Sequence, residues 1–484
     1  MNFWTQANLR SAAGGGTWMN RPPEGVAQSR RIEGLSTDSR TIQPGQAFLA
    51  IRGESFDGHA YLLHAIEAGA SMLIVDNPRA VDEDVMERAR DVGILKVADA
   101  RKALGRLASS YRQTLDGTKV IAVTGSNGKT TTTRLIGAAL SARLRGTISL
   151  KSFNNDIGVP LTILSAKPGD QYLVCEVGMN APGEMAPLAK MIEPDVAVIT
   201  SIGRAHIQGL GSVEAIAREK AALLSYLRPN GVAVVTADTP LLAEYLKPVP
   251  NVVTFGRLAS ADLRLGEVMH TAATGGGDGL SFTVNDRWTY SIPLIGEHNA
   301  LNALAAVAVA RRLGLDHEEI AKGLASAAPA EMRLARRSID GIDVFNDAYN
   351  ASPESMAAAV RTFAALTTTA KRRVMILGDM LELGSHAQEA HEEIGRLLVE
   401  VCRPDWMVTV GPLALLIADQ LTTGDGSRAR LQMLSELDDV QAAKIAEKLQ
   451  EGDAVLIKGS RRIGLERIVK AIEKRRRAPA GVGR

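Results

Sequence analysis

Between Lys119 and Arg134 the chain reads KVIAVTGSNGKTTTTR, an apolar strand followed by a glycine turn and a helix start. Gly125 and Gly128 let such a turn fold with its backbone N–H groups pointing inward at an anion, and Lys129 sets a compact cation against the outer phosphates. The Thr130 hydroxyl is of the type that holds Mg2+ in phosphate loops. Thr124, Gly125, Ser126, Asn127, Gly128, Lys129, Thr130 and Thr131 therefore form the candidate ATP-binding segment. The common phosphate-loop spacing would place glycine at Val123, so this turn, GSNGKT, is a shorter variant.

Glu176, His206 and Lys220 carry further candidate chemistry. Glu176 follows the apolar run YLVC, and a carboxylate there can reach a metal, because ligands of open α/β sheets lie beyond the carboxyl ends of strands. His206 stands in the loop SIGRAHIQG past the run VAVITS, where an imidazole can project into the same crevice. Lys220 falls inside the apolar stripe Val213, Ile216, Ala217, Leu224 and Leu227 of a helix that Ser212 would cap. A lysine in that stripe either snorkels outward, or serves an anionic site, or becomes a CO2 carbamate that offers oxygens to Mg2+.

These side chains need strands to aim them. At 484 residues the chain exceeds what a single core supports, and about two to four domains are expected. Apolar residues make up 45% and charged residues 23%, ample for sizeable cores, and a net charge of +2 gives no basis for nucleic-acid binding. The basic run Lys474 to Arg477 reads as a solvated tail. Cys175 and Cys402 lie far apart without CxxC spacing, so neither a disulfide framework nor a zinc site is expected and a reducing cytoplasm fits. The opening residues lack the apolar core of a signal peptide and no apolar run nears the ~20 residues of a membrane span, so membrane insertion is not expected.

Gln113 to Thr118, QTLDGT, reads as a linker that closes a small first domain over 1–115. Over 116–326 the runs Tyr172 to Val177, Asp195 to Ile202, Gly231 to Thr236 and Asn251 to Phe255 alternate with helical stretches, the pattern of a mostly parallel sheet. Leu280 to Val284 and Trp288 to Ile292 flank Asn285 and Asp286 as a hairpin, and Thr271 to Gly279 reads as a loop. Over 327–484 the runs Ile342 to Asn346, Arg373 to Leu377, Trp406 to Val410 and Ala454 to Lys458 repeat the rhythm, so a second α/β sheet is expected.

Over nearly its whole length the chain resembles the Mur ligase family, ATP-dependent amide-forming enzymes of peptidoglycan synthesis. The likeness rests on TGSNGKTTT, Glu176, His206 with Lys220 fourteen residues later, GEHNALNALAA at 296–306, and Arg333 followed by Asp347. STDSR at 36–40, FDGH at 56–59, NNDIGVPLT at 154–162, DAYNASPESM at 347–356, LGDMLELG at 377–384 and IKGSR at 457–461 are similar to one branch. That branch joins D-alanyl-D-alanine to a UDP-N-acetylmuramoyl-tripeptide.

The resemblance implies an α/β fold of three domains: a small N-terminal UDP-binding domain, a central phosphate-loop ATPase-like domain on a mostly parallel sheet, and a C-terminal Rossmann-like domain for the incoming amine. It implies uridine-nucleotide contacts at Asp38, Ser39, Arg40 and Gly53, and contacts to the peptide substrates at Asn154, Asn155, Asn350, Asp379, Ser460 and Arg461. Adenine is expected near Asn302, His298 and Asn299, the terminal phosphates at Arg333, and the ribose or phosphates at Asp347. Lys129, Glu176, His206 and Lys220 would be catalytic, with one Mg2+ near Thr130 and Glu176 and a second near His206 and a carbamylated Lys220. A monomer is the default expectation.

Three features depart from the family pattern. A glycine often precedes the phosphate-contacting arginine, whereas Ala330, Glu331 and Met332 precede Arg333. DNPR at 76–79 is a signature of diaminopimelate-adding relatives, yet it lies in the first domain and reads as coincidence. Arg204, beside His206, has no evident role. Alternatives at this point are another ligase of the superfamily, such as a diaminopimelate- or lysine-adding member, and a non-catalytic ATP-dependent switch.

Overall fold

Short apolar runs bounded by turn residues form three separate sheets, each mostly parallel. The computed structural model describes residues 3–21, 31–53, 56–150, 152–272, 277–422 and 430–477. The first sheet has the order β1-β5-β4-β3-β2, from β1 (Thr17–Asn20), β2 (Leu35–Ser36), β3 (Ala47–Leu49), β4 (Met72–Val75) and β5 (Gly93–Lys96); only β1 runs antiparallel. Its central strand β4, MLIV, is buried throughout, as expected of a parallel strand covered on both faces.

The helix Ala100–Arg112, capped by Asp99, carries the first unit onto the second. Tyr111 Oη donates to Ala166 O at 2.7 Å, and the fully buried Arg112 donates from Nε to Ile192 O at 2.7 Å and from Nη2 to Glu193 O at 2.9 Å. A buried guanidinium bound to carbonyls at a helix end makes this a fixed junction rather than a loose tether. The segment 113–118 then leads directly into β6.

The second sheet has nine strands, β14-β13-β12-β11-β10-β9-β6-β8-β7. These are β6 (Lys119–Thr124), β7 (Gly146–Ile148), β8 (Tyr172–Glu176), β9 (Val196–Ile199), β10 (Val232–Thr236), β11 (Val252–Gly256), β12 (Leu263–Ala272), β13 (Asp278–Val284) and β14 (Trp288–Ile292). Strands β6 to β12 are parallel, and β13 and β14 add an antiparallel edge. The hairpin turn has Asn285 at φ 53 and Asp286 at φ 52, closed by Arg287 N–H to Val284 O at 3.1 Å, a primed turn that suits the strand twist. The expected loop at Thr271 to Gly279 is narrower than its composition suggests: Thr271 and Ala272 belong to β12, Asp278 and Gly279 to β13, and 273–276 lie outside the described residues.

The third sheet has the order β15-β16-β20-β17-β18-β19, from β15 (Ala335–Ile339), β16 (Ile342–Asp347), β17 (Arg372–Gly378), β18 (Trp406–Val410), β19 (Arg430–Leu434) and β20 (Asp453–Lys458). Only β15 is antiparallel. The basic run Lys474 to Arg477 is not a tail but the end of the helix Glu466–Arg477, where Arg475 Nη1 donates to Ala446 O at 3.0 Å and Leu449 O at 2.7 Å. Asp76 of DNPR is structural, its Oδ2 accepting from Ala100 N–H at 2.9 Å. Among the described residues no helix is long and apolar enough to cross a membrane.

Candidate functional site

Strand β6 lies between β9 and β8, so the loops leaving three parallel neighbours open on one crevice. Gly125 has φ 150 and Gly128 φ 84. A Cβ at Gly125 would collide with Thr200 Oγ1 and one at Gly128 with Asn302 Oδ1, so both positions exclude a side chain. Gly128 precedes the helix Lys129–Ser141, and Ser126 to Thr131 line a cavity of about 1070 Å³ between the second and third sheets. Thr124 and Gly125 lie just behind that lining, at the end of β6.

Lys129 folds back over the loop, its Nζ donating to Gly125 O at 2.8 Å and to Ser126 O at 3.4 Å. Burial pulls its pKa down to about 8, against the opposing pull of the Glu176 carboxylate. Glu176, the buried last residue of β8, accepts from Asn154 Nδ2 at 2.8 Å through Oε1, while its Oε2 has no partner. A buried carboxylate oxygen without a donor is costly, and a cation is the complement it lacks. Asn155 turns its Oδ1 to the backbone, accepting from Gly158 N–H at 2.9 Å.

Thr130 Oγ1 lies 3.2 Å from Ser152 Oγ and accepts from Arg333 Nη2 at 3.1 Å, so Arg333 reaches the phosphate loop from the third unit. Its guanidinium also stacks 4.1 Å from the centre of the Tyr349 ring. Met332 and Leu334 on either side have φ 55 and φ 51. Met332 itself thus holds a left-handed backbone just before Arg333, a conformation that glycine adopts without strain.

Asp347 closes β16 and Lys458 closes β20, and the two pair at 2.7 Å through Oδ2 and Nζ; Lys458 also donates to Asn350 O at 3.0 Å. The second Asp347 oxygen accepts from Leu334 N–H at 3.0 Å, so this carboxylate shapes the Arg333 loop. Asn302 Oδ1 accepts from Thr132 Oγ1 at 3.3 Å and its Nδ2 donates to Asn299 at 3.0 Å, fixing the helix His298–Arg312 beside the loop. Burial holds the His298 pKa below its ordinary value.

His206 has φ 64, and its Nδ1 lies 2.5 Å from Glu382 Oε2. This bond holds the Glu382 pKa below its ordinary value, so Glu382 accepts and Nδ1 donates, which leaves Nε2 as the ring nitrogen not bonded to Glu382. A carboxylate that fixes the tautomer of an imidazole is the usual support of a metal-ligating histidine. Lys220 is buried on the helix Val213–Ala221, which Ser212 caps, and it lies behind the cavity lining. Desolvation, aided by the nearby Lys129 charge, drives its pKa well below the ordinary lysine value. Among the described residues no three His, Cys, Asp or Glu side chains gather into a metal cage. The Thr130 hydroxyl and the orphan Glu176 carboxylate are oxygen donors that suit Mg2+, which takes few protein ligands and keeps waters and phosphates for the rest, whereas the His206 imidazole is a softer donor.

The cavity also brings in Asn154, Asn155, Asn350, Ser460 and Arg461, but not Asp379. The buried Asp379 Oδ1 accepts from Leu413 N–H at 3.0 Å and Ala414 N–H at 2.6 Å, on the loop after β18. Asp38, Ser39, Arg40 and Gly53 lie outside this cavity, on the first unit, with Arg40 and Asp38 paired at 2.7 Å. Arg204 gains a role, bonding Glu354 at 3.1 Å and Glu393 at 2.8 Å on two helices of the third unit. Sequence reasoning passed over Lys458, Tyr349, Ser152 and Glu382. Lys458 had a readable signal, a charged residue closing an otherwise apolar strand, as Glu176 closes β8.

Three family models match the chain in order: Mur ligase family, catalytic domain, over residues 31–112; Mur ligase middle domain over 123–310; and Mur ligase, glutamate ligase domain, over 332–461. The chain is 38% identical to the UDP-N-acetylmuramoyl-tripeptide--D-alanyl-D-alanine ligase of Bacillus subtilis (strain 168), covering 91% of this chain and 93% of that one. It is 31% identical to the ligase of the same name from Escherichia coli (strain K12), covering 91% and 94%. Among solved structures it is similar to MurF from Acinetobacter baumannii, with TM-score 0.80 and 32% identity over 97% of this chain and 99% of that one. It is also similar to MurF ligase from Thermotoga maritima in complex with ADP, with TM-score 0.73 and 27% identity over 92% and 97%.

Proposed function

The chain belongs to the Mur ligase family, and from that premise we propose that it joins D-alanyl-D-alanine to UDP-N-acetylmuramoyl-tripeptide at the expense of ATP, in peptidoglycan precursor synthesis. The observation that carries the reading is one cavity shared by a phosphate loop on the second unit and by Arg333, Asn350 and Arg461 on the third. Residues 1–115 then hold the nucleotide end of the donor through Asp38, Ser39, Arg40 and Gly53, residues 116–326 hold ATP, and residues 327–484 bring the amine.

The donor carboxylate attacks the γ-phosphorus of ATP, the bond to ADP breaks, and an acyl phosphate forms. The amine then attacks the acyl carbon; a C–N bond replaces the C–O bond, phosphate leaves with the electron pair, and the amine proton goes to solvent. Charge neutralisation is the main demand of both steps. Lys129 exchanges its carbonyl partners for the outer phosphates, Arg333 meets the same charge from across the cavity, and the loop N–H groups hold the remaining oxygens. His298, Asn299 and Asn302 border the adenine, and Arg461 pairs with the dipeptide carboxylate while Asn350 and Ser460 orient its chain. Closure of the third unit keeps water from the acyl phosphate.

Two Mg2+ ions, when bound, would supply positive charge to the phosphates and the donor carboxylate; Thr130 and Glu176 would hold one, and His206 with a carbamylated Lys220 the other. A neutral amine is the form that adds CO2, and burial shifts Lys220 in that direction. The test is phosphate release with each substrate omitted in turn. Release should need both UDP-N-acetylmuramoyl-tripeptide and D-alanyl-D-alanine, and a comparable rate with any single amino acid would overturn the assignment.

A further inference from the structure

Among the described residues that line the central cavity, Arg101 alone comes from the first unit. It stands at the second position of the helix Ala100–Arg112, whose far end is anchored by Tyr111 and Arg112, so its backbone is held rigidly against the second unit. Its guanidinium pairs with Asp156 at 3.2 Å, and the two side chains remain 47% and 56% exposed. An ion pair that open contributes little, so its carboxylate partner is readily exchanged for another.

Asp156 ends a continuous stretch of cavity wall. Ser152 lies at Thr130, Asn154 at Glu176, and Asn155 and Asp156 continue the wall to Arg101. From Ser152 to Asp156 the chain spans at most about 14 Å, the length of a short extended peptide. A donor held by its nucleotide on the first unit, with its reacting carboxylate near Lys129, must lay its peptide along this stretch. That peptide carries at least one carboxylate that does not react: the name of a similar solved structure gives its UDP-linked substrate as a D-glutamyl-2,6-diaminopimelate peptide.

We propose that Arg101 is a donor-positioning residue that leaves Asp156 to bind a non-reacting carboxylate of the UDP-linked peptide. The inference rests on the ligase reading. The guanidinium suits a planar, bidentate carboxylate and an ammonium would not replace it well. Two carboxylates share this chemistry, that of the D-glutamyl residue and that of the diaminopimelate side chain.

The experiment measures steady-state phosphate release by the full chain, first confirming that wild type needs both donor and dipeptide; failure there removes the ligase reading itself and says nothing of Arg101. Arg101→Gln should raise the donor KM at least tenfold while kcat and the KM values for ATP and D-alanyl-D-alanine stay within twofold, with Arg101→Lys recovering only part of the loss. Asp156→Asn separates recognition from a merely structural ion pair: it should leave the donor KM unchanged or lower it, because it frees the guanidinium. Donors ending in lysine or carrying an amidated D-glutamyl residue identify the carboxylate, since the donor lacking it should be insensitive to Arg101→Gln. Equal KM increases from Arg101→Gln and Asp156→Asn, or an unchanged donor KM in Arg101→Gln with every donor, would overturn the proposal.

Discussion

Lys129 has a pKa of about 8 in the free protein because burial disfavours its charge. Bound phosphates would restore that charge. Below pH 8 the ammonium is already present and ATP binding takes up little proton; between about pH 8 and the ordinary lysine range, binding takes up a proton and affinity falls as pH rises. Calorimetry at pH 9 in two buffers of different ionisation heat reads this directly, and zero uptake there would separate Lys129 from the phosphates. Lys129→Ala should cost about a hundredfold or more in turnover with the thermal midpoint retained. Lys220→Ala should be inactive and partly recovered by acetate, which fills the place of a carbamate; full activity would leave only a snorkelling lysine. At this scale the sequence was readable where a charged residue interrupts or ends an apolar run, as at Glu176 and Lys220. It was silent on Glu382, whose bond to His206 joins positions far apart in the chain, and on the backbone bonds that tie Asp379 to Leu413 and Ala414.

The element that decides whether the site exists is the turn between β6 and the helix Lys129–Ser141. An alanine at position 128 would have to adopt φ 84, at a cost of about 1–2 kcal/mol, and would also displace Asn302. Gly128→Ala should therefore lower the melting temperature by several degrees and weaken ATP binding more than tenfold, as read by thermal melts with and without ATP. Unchanged affinity would mean that the loop does not cradle phosphate. Buried parallel strands such as β8, β10 and β20 were legible because both faces are covered and their sequences become unbroken apolar runs. The strand β12 and the edge strands β15 and β19 were not, because their sequences are partly polar and exposed. Lys474 to Arg477 misled for a related reason: a helix whose stripe is narrow still looks like a charged tail when read over only its last turn.

Across the whole molecule the third unit is tied to the second by Arg204 to Glu354 and Glu393, by His206 to Glu382, by Ser352 Oγ to Asn127 Oδ1 at 2.9 Å, and by Arg333 to Thr130. Arg204→Ala removes two of these ties. Without ligands it should increase the radius of gyration in solution scattering and raise the KM for D-alanyl-D-alanine more than that for ATP; an unchanged scattering profile would mean that the remaining contacts hold the units together unaided. Three sheets were foreseeable from length and rhythm, whereas these ties were not, since nothing local to GRAH names its partners. The cavity wall draws on residues from Arg101 to Arg462, so the phosphate loop is synthesised well before the wall that faces it. A ribosome-bound nascent chain that has emerged as far as β14 already owns the phosphate loop, yet lacks Arg333, Lys458 and Arg461.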